Sequence, residues 1–563
     1  MATTVAANYL ARLAELGIDS LFVNAGTDHA PIVEAYAINK EQGGPRLPVP
    51  VLCAHENLAG GMAHGAALVT GRPQALLVHV SVGTANAACA VANAARDRVP
   101  LLVTAGRSPV LEAGAVGARD LPIHWTQEMF DQASIVREFT KWDYELHDAR
   151  QVEDVVDRAM SVAESHPRGP IYLSLPREVL AETVDDFVPE RPRTVVPTSV
   201  QPDPTAIREL ADRITAARFP VIISTASGAE AGSAALLGEV CERFSIGVAD
   251  PFSRFLTVSG AHPNHVGTNP AAIFAEADLV VFLECDVPWI EHYWKPDDHT
   301  FIAQVAIDPI HSTIPMRTHR SDLNISATPV AFLTALAEAL EGRAPRTRAA
   351  RTKRIRALAR SVRAGVEAQR AKELTESDEP ITKATISAVL GELLDKDDLV
   401  FNEYVGVPEL LNRTEPGTYY FLPSAGGLGW GLPAALGAKY AAPDRTVVAT
   451  LGDGAYMFAN PAACHQAAAK HNLPVLTVLA NNSEWWAVDA ATYSVYPDGT
   501  ALANAEDRFS DLSPSPDFAA YCTASGGHGV TVHHRSELRG ALEEALRVVR
   551  EQGRQALVDV RCS

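Results

Sequence analysis

Short apolar runs recur along the chain, with helical stretches between them. In the first 185 residues they are Ser20-Leu-Phe-Val-Asn, Pro50-Val-Leu-Cys, Ala75-Leu-Leu-Val-His, Pro100-Leu-Leu-Val-Thr and Pro170-Ile-Tyr-Leu-Ser-Leu. Runs that are apolar at every position, rather than at alternate ones, fit strands covered on both faces, and strands alternating with helices assemble into a doubly wound parallel sheet. The rhythm returns between 205 and 345, with Pro220-Val-Ile-Ile-Ser, Ala277-Asp-Leu-Val-Val-Phe-Leu and Ile302-Ala-Gln-Val-Ala-Ile-Asp, and again from 375 to 563. The pattern therefore predicts an α/β chain of three doubly wound parallel-sheet domains, at 1–185, 205–345 and 375–563. Glu190-Arg-Pro-Arg-Thr-Val-Val-Pro to Pro204 is proline-rich and reads as a linker. Residues 343–373 form an arginine-rich helical stretch, which either binds an acidic partner or runs solvated between two domains.

The third domain carries Leu451-Gly-Asp-Gly-Ala-Tyr-Met after the run Thr446-Val-Val-Ala-Thr-Leu, and Asn481-Asn482 after Pro474-Val-Leu-Thr-Val-Leu-Ala, with a predicted helix from Ala462 to His471 between them. This is a βαβ unit that sets Asp453 and Asn482 at the carboxyl ends of two strands, where open α/β sheets bind ligands. A hard cation such as Mg²⁺ takes about six oxygens, few of them from protein and the rest from phosphate and water. Asp453 offers charge and Asn482 a neutral carbonyl. Gly452 and Gly454 let the backbone approach a phosphate, and the helix that follows presents free amides to it. A Gly-Asp-Gly by itself is also an ordinary turn.

A length of 563 residues exceeds what one core sustains and suits about three domains. The 48 basic and 68 acidic residues leave a net charge of −20, which argues against nucleic-acid binding. Seven cysteines lie scattered without metal or disulfide spacing. The first residues enter an amphipathic helix without a basic leader, and no apolar stretch reaches the length of a membrane span, so the chain reads as cytoplasmic and not membrane-bound.

In the first domain, Ala54-His-Glu-Asn-Leu-Ala-Gly-Gly-Met-Ala places Glu56 at the start of a Gly/Ala-rich helix after an apolar run. One reading is a glutamate that the helix dipole stabilises. The other follows from a wider likeness. Leu422-Pro-Ser-Ala-Gly-Gly-Leu-Gly-Trp-Gly-Leu-Pro-Ala-Ala, Pro416-Gly-Thr-Tyr-Tyr-Phe and Asn402-Glu-Tyr-Val-Gly, taken with Glu56, Asp453 and Asn482, resemble the decarboxylase and acetohydroxyacid synthase group of thiamine-diphosphate enzymes over nearly the full length, and most closely the benzoylformate-decarboxylase pattern.

That resemblance implies a pyrimidine-binding N-terminal domain, a middle domain, and a C-terminal domain that binds diphosphate and metal, with thiamine diphosphate and Mg²⁺ as cofactors. Glu56 would hydrogen-bond the aminopyrimidine and promote the imino tautomer that deprotonates thiazolium C2. The Gly426 carbonyl would accept the 4′-amino hydrogen bond and Leu428 would be the wedge beneath the bent cofactor. Val405 and Gly406, with Gly452, Asp453, Gly454, Ala455 and Asn482, would hold the diphosphate side, and the Glu484 carbonyl would join Asp453 and Asn482 on the metal. His79 and Thr27 match the histidine and hydroxyl positions of the benzoylformate-decarboxylase pattern. A histidine near neutral pKa can move protons at pH 7, although one that ends an apolar strand is also often a satisfied buried residue. His29 has no counterpart.

Trp125-Thr-Gln-Glu is similar to a segment of the synthases, which would turn Gln127 toward the pocket. Trp485 and Trp486 suit either a pocket wall or an interface. The metal motif runs slightly longer than the family spacing, at Phe458-Ala-Asn-Pro, and the middle domain lacks a pyrophosphate fingerprint, so no FAD is expected. The implied activity is cleavage of the carbon–carbon bond next to the carbonyl of a 2-oxo acid or related ketone, by a decarboxylase or lyase. An acetolactate-synthase-like carboligase is the alternative, and a non-catalytic relative the remote one. Intact Glu56, Asp453 and Asn482 speak against the last. In the family the cofactor lies between domains of two subunits, which implies a homodimer or homotetramer.

Overall fold

The computed structural model describes residues 3–184, 191–343, 348–375, 378–504 and 509–562. Glu190 of the predicted linker, and 344–347 of the arginine-rich stretch, lie outside them. Among the described residues three large sheets form, with all their strand pairings parallel, beside a two-stranded antiparallel pair of Thr3–Thr4 with Thr183–Val184. The first runs, edge to edge, Val49–Leu52, Ser20–Val23, Gln74–Val78, Leu101–Arg107, Ile171–Pro176 and Asp143–Glu145. The second runs Gly247–Ala249, Pro220–Ser224, Leu279–Leu283, Phe301–Ala306 and Leu323–Ser326. The third runs Tyr419–Phe421, Leu399–Glu403, Val447–Gly452, Val475–Asn481, Ala556–Arg561 and His528–Val532.

Numbered in chain order within each sheet, the first and third share the order 2-1-3-4-6-5, and the second has 2-1-3-4-5. All three reverse direction between strands one and three, the place where doubly wound sheets open a crevice at the strand ends. Most of the apolar runs correspond to central strands buried throughout, as at Gln74–Val78, Ile171–Pro176 and Leu279–Leu283, but Pro50-Val-Leu-Cys falls on the edge strand Val49–Leu52, where only Val51 is buried. Edge strands such as Asp143–Glu145, Gly247–Ala249 and Tyr419–Phe421 have three residues each and carry no legible pattern.

The arginine-rich stretch is the helix Arg348–Leu374, which buries Arg351, Ile355 and Ala359. The Arg351 guanidinium donates to the carbonyls of Ile214, Ala217 and Phe244 and docks the helix on the second sheet's layer. The described part of the linker, 191–203, has no regular structure before the helix Pro204–Ala216.

The first and third sheets meet through the helices Glu56–Thr70 and Gly431–Ala441. A Cβ on Gly65 would stand 1.9 Å from the Ala434 carbonyl oxygen, and one on Gly437 would stand 1.9 Å from that of Met62. The two backbones can touch only because both positions are glycine. Around them Met62, Ala63, Ala66, Trp430, Ala434 and Ala438 belong to one apolar cluster spanning both sheets. Among the described residues, no helix is long and apolar enough to cross a membrane.

Candidate active site

The strand reversal of the first sheet lies between Ser20–Val23 and Gln74–Val78, and titratable side chains gather beyond both ends. A short turn of 3-10 helix, Thr27–His29, follows the first strand, and His79 precedes the helix Val80–Arg96 after the third. Thr27 is exposed, whereas Asp28 is buried. The Asp28 carboxylate lies 2.5 Å from His79 Nδ1 through Oδ1 and accepts the Val80 backbone N–H at 3.2 Å through Oδ2. His29 is buried too: Gly26 N–H donates to its Nδ1 at 3.1 Å, and its Nε2 reaches the Val78 carbonyl at 3.1 Å. His29, unassigned from sequence, braces the turn against the strand.

On its far side, His79 Nε2 is 3.4 Å from the side-chain nitrogen of Gln127, whose own carbonyl accepts from Ser81 Oγ. Glu56 starts the helix after the second strand; it is 7% exposed and accepts from Asn86 Nδ2 at 3.1 Å. The hydrogen bond to Asp28 raises the His79 pKa above that of an ordinary histidine, against the opposing effect of burial. Burial pushes Asp28 upward, but the hydrogen bonds from His29 and His79 outweigh it and hold the carboxyl well below the usual range. Sequence reading missed Asp28. A carboxylate two residues after a glycine turn was the available signal, yet only the fold brings it to a histidine 51 positions away.

Beyond the equivalent ends of the third sheet the chemistry changes. Asp453 opens the helix Asp453–Phe458, buried, and its Oδ1 accepts the Gly454 N–H at 2.8 Å. Burial raises its pKa, opposed by backbone N–H groups of Gly454 and Ser483. The contact with Ser483 brings Asp453 to the turn that holds Asn482, whose Oδ1 accepts the Glu484 N–H at 3.2 Å. Asn481 instead points into the core and donates to Asp559 and Ser515. The Ser483–Trp485 turn is tied down by Trp485 N–H to the Ser510 carbonyl and Leu512 N–H to that of Ser483, both at 2.8 Å. Trp485 covers Gly454, where a Cβ would come within 2.4 Å of the indole, while Trp486 is 62% exposed with the Lys383 ammonium over its ring.

Asn402 and Glu403 form the buried end of the strand Leu399–Glu403. From there Asn402 shapes the loop: its Oδ1 accepts from Val405 N–H at 3.1 Å and Gly406 N–H at 2.6 Å, and its Nδ2 donates to the Gly406 carbonyl. Glu403 is fully buried and accepts from Gly429 N–H and Gly431 N–H, each at 2.7 Å. Burial raises its pKa to about 7, against the lowering by those amides. Gly429 also gives its carbonyl to Asn57, and Gly427 exchanges two hydrogen bonds with Asn93, so the loop with Gly426 and the half-buried Leu428 is pinned to the helices of the first sheet.

A diphosphate and a hard cation suit the Asp453 side. Asp453 is engaged only by backbone amides, nothing lies within 4 Å of where a side chain on Gly452 or Gly426 would begin, and Ala455 continues the helix start. One carboxylate, one amide oxygen and a backbone carbonyl leave further positions to phosphate and water, as Mg²⁺ prefers. Among the described residues, no cluster of three or more His, Cys, Asp or Glu of the kind that holds a transition metal occurs. No hydrogen bond among the described residues joins Glu56, His79, Thr27 or Gln127 directly to Asp453, Asn482 or Glu484.

Three doubly wound sheets with these two strand-end clusters define a cofactor-dependent α/β enzyme. The chain belongs to the thiamine pyrophosphate enzymes: residues 3–135 match the family's N-terminal TPP binding domain, 207–336 its central domain and 405–560 its C-terminal TPP binding domain. It is 28% identical over 551 residues to benzoylformate decarboxylase of Pseudomonas aeruginosa, covering 94% of each chain. It is 25% identical over 530 residues to the large subunit of acetolactate synthase isozyme 3 of Escherichia coli, covering 91% of this chain and 87% of the other. Its fold matches that of the thiamine diphosphate-dependent 4-hydroxybenzoylformate decarboxylase of Rhodococcus jostii with a TM-score of 0.79 at 22% identity, covering 100% of this chain and 99% of the other.

Proposed function

We propose that this thiamine-diphosphate enzyme uses Mg²⁺ and cleaves the bond between the carbonyl and carboxyl carbons of a 2-oxo acid, as a decarboxylase or lyase of the benzoylformate-decarboxylase type. The observation that carries the reading is His79, with Nδ1 against a buried carboxylate and Nε2 turned toward Gln127 near Glu56. A decarboxylase must place a proton where carboxylate has left, and a histidine held above its ordinary pKa is suited to that. Thiamine diphosphate, when bound, supplies the electron sink for the cleavage. Asp453, Asn482 and the Glu484 carbonyl hold the metal. Gly452, Gly454, Ala455 and the Val405–Gly406 loop receive the diphosphate, Gly426 and Leu428 seat the ring system, and Glu56 takes the aminopyrimidine. Thr27 lies at the mouth of the first-sheet crevice as a hydroxyl for the substrate.

Gln127, beside His79 in a segment similar to the synthases, favours carboligation as a second outcome of the same site. The working unit is a homodimer or homotetramer in the cytoplasm. Exposed apolar side chains flank both clusters, with Val82, Leu111, Trp125 and Phe130 on one side and Tyr404, Phe458 and Trp486 on the other, and they suit a subunit interface. Chelation followed by gel filtration should abolish activity, and metal and thiamine diphosphate together should restore it; recovery with metal alone would reject the assignment. Screening 2-oxo acids on the restored enzyme should release CO₂ and aldehyde. Acyloin as the main product, or a stoichiometric flavin band in the pure protein, would move the chain to the synthase reading.

A further inference from the structure

We propose that Asp28 is a positioning residue: in a buried carboxylate–imidazole pair it fixes a proton on His79 Nδ1 and leaves Nε2 as the atom that exchanges protons with the substrate. This rests on the decarboxylase reading and assigns the residue that makes His79 competent for it. Two groups hydrogen-bond Asp28, His79 Nδ1 at 2.5 Å and the Val80 backbone N–H at 3.2 Å, and His29 Nε2, which reaches the Val78 carbonyl, stands 3.2 Å from it. The tautomer of His29 is set by Gly26, whose N–H needs a lone pair on Nδ1 and so leaves the proton on Nε2. The Val80 amide can only donate. A carboxylate that accepts a fixed backbone N–H, with an imidazole N–H beside it, stays ionised, and His79 Nδ1 must then donate to it. Exchange is left to Nε2, which faces Gln127.

The surrounding backbone makes room for the pair. A Cβ on Gly26 would stand 2.0 Å from His79 Nδ1, and one on Gly106 would stand 1.7 Å from Asp28 Oδ2, so any side chain at either position would occupy the pair's own space. Val80, next to His79, has φ 28°, a region that β-branched residues avoid. Its amide is the one Asp28 accepts, so the carboxylate supports both the imidazole and the strained turn that presents it.

In the proton step an electron pair on the substrate takes the Nε2 proton and the N–H bonding pair returns to the ring. The neutral imidazole that remains still donates from Nδ1 to Asp28, and water reprotonates Nε2. Asp28 takes up no proton. The other titratable groups near His79 are Glu56, which favours its charged form, His29 on the Asp28 turn and His124 on the helix Ile123–Thr126.

Ring-nitrogen NMR on the full-length apo protein, with His79 assigned by comparison with His79→Gln, tests this without any activity. The expected spectrum has Nδ1 protonated throughout, Nε2 titrating, and a midpoint above that of a free histidine. In Asp28→Asn the midpoint should fall, kcat at pH 7 should drop by roughly 10²-fold or more, the lower end of an acid–base contribution, and KM and cofactor affinity should hold. The alkaline limb of the pH–rate profile, where the protonated imidazole is lost, should move with the midpoint. A wild-type His79 protonated on Nε2 when neutral, or a midpoint unmoved in Asp28→Asn, overturns the proposal. Should Asp28→Asn fail to fold, the wild-type spectrum alone decides. Absence of turnover with every 2-oxo acid would instead sink the decarboxylase reading and leave the NMR result standing.

Discussion

The first and third sheets have the same strand order, 2-1-3-4-6-5, and opposite chemistry at equivalent places. After the third strand of one comes His79, and after the third strand of the other Asp453. After the second strand, one chain segment starts its helix with Glu56 and the other with the bare Gly431. The first-strand loop carries Asp28 and His29 in one, and Val405 and Gly406 in the other. Topology opens the same crevice twice; the residues at its rim decide what it can do. Proton-handling side chains line one copy. Glycines, one carboxylate and one amide line the other, fitting an anion and a hard cation.

Two buried carboxylates sharpen the contrast. Asp28 meets two imidazoles and is held low, whereas Glu403 meets only backbone amides and rises to about 7. Burial is the largest influence on both, and the partners decide which way the balance falls.

If the two crevices divide the labour in this way, losing the metal side should have the largest effect: Asp453→Ala should leave no measurable turnover and no thiamine diphosphate retained on gel filtration. Glu56→Gln should keep the cofactor yet slow C2 proton exchange by orders of magnitude. Mixing these two inactive variants should restore some activity, because a hybrid dimer holds one site with both native residues. No recovery despite proven subunit exchange would mean that both groups act from one chain. His79→Ala should lower kcat by roughly 10² to 10⁴ with cofactor binding intact, and an unchanged rate would return the residue to a structural role.

The smallest effects are on stability against pH. Glu403, raised from 4.5 to about 7, contributes stability fully below 4.5 and loses it as pH rises through 7. Asp28, held low, contributes above the ordinary aspartate range and loses that as pH falls through its folded value. His79, raised, contributes fully below the unfolded histidine value and loses it as pH rises. Thermal melts of Glu403→Gln should therefore lack the wild-type decline between 4.5 and 7, and those of Asp28→Asn should differ most from wild type in mildly acid solution. Parallel melting curves for all three proteins would contradict the assigned shifts.

The chain by itself determined what is local. Buried central strands announce themselves as continuous apolar runs, because both faces of a parallel strand are covered. Glu56 and Asp453 are legible because a carboxylate at a strand-to-helix turn is written within a few residues. The family likeness was legible for the same reason, since its motifs are contiguous. Edge strands of three residues gave no period to read, and nothing local says that Asn402 will shape Val405–Gly406 from inside the sheet. What only the tertiary structure decided is which distant groups meet. Asp28 reaches His79, Glu403 takes the amides of Gly429 and Gly431, and Gly65 lies against Ala434 because strand order and helix packing bring them together. A hydrogen bond or a close backbone contact between remote positions leaves no periodicity in either segment, so a single sequence does not record it.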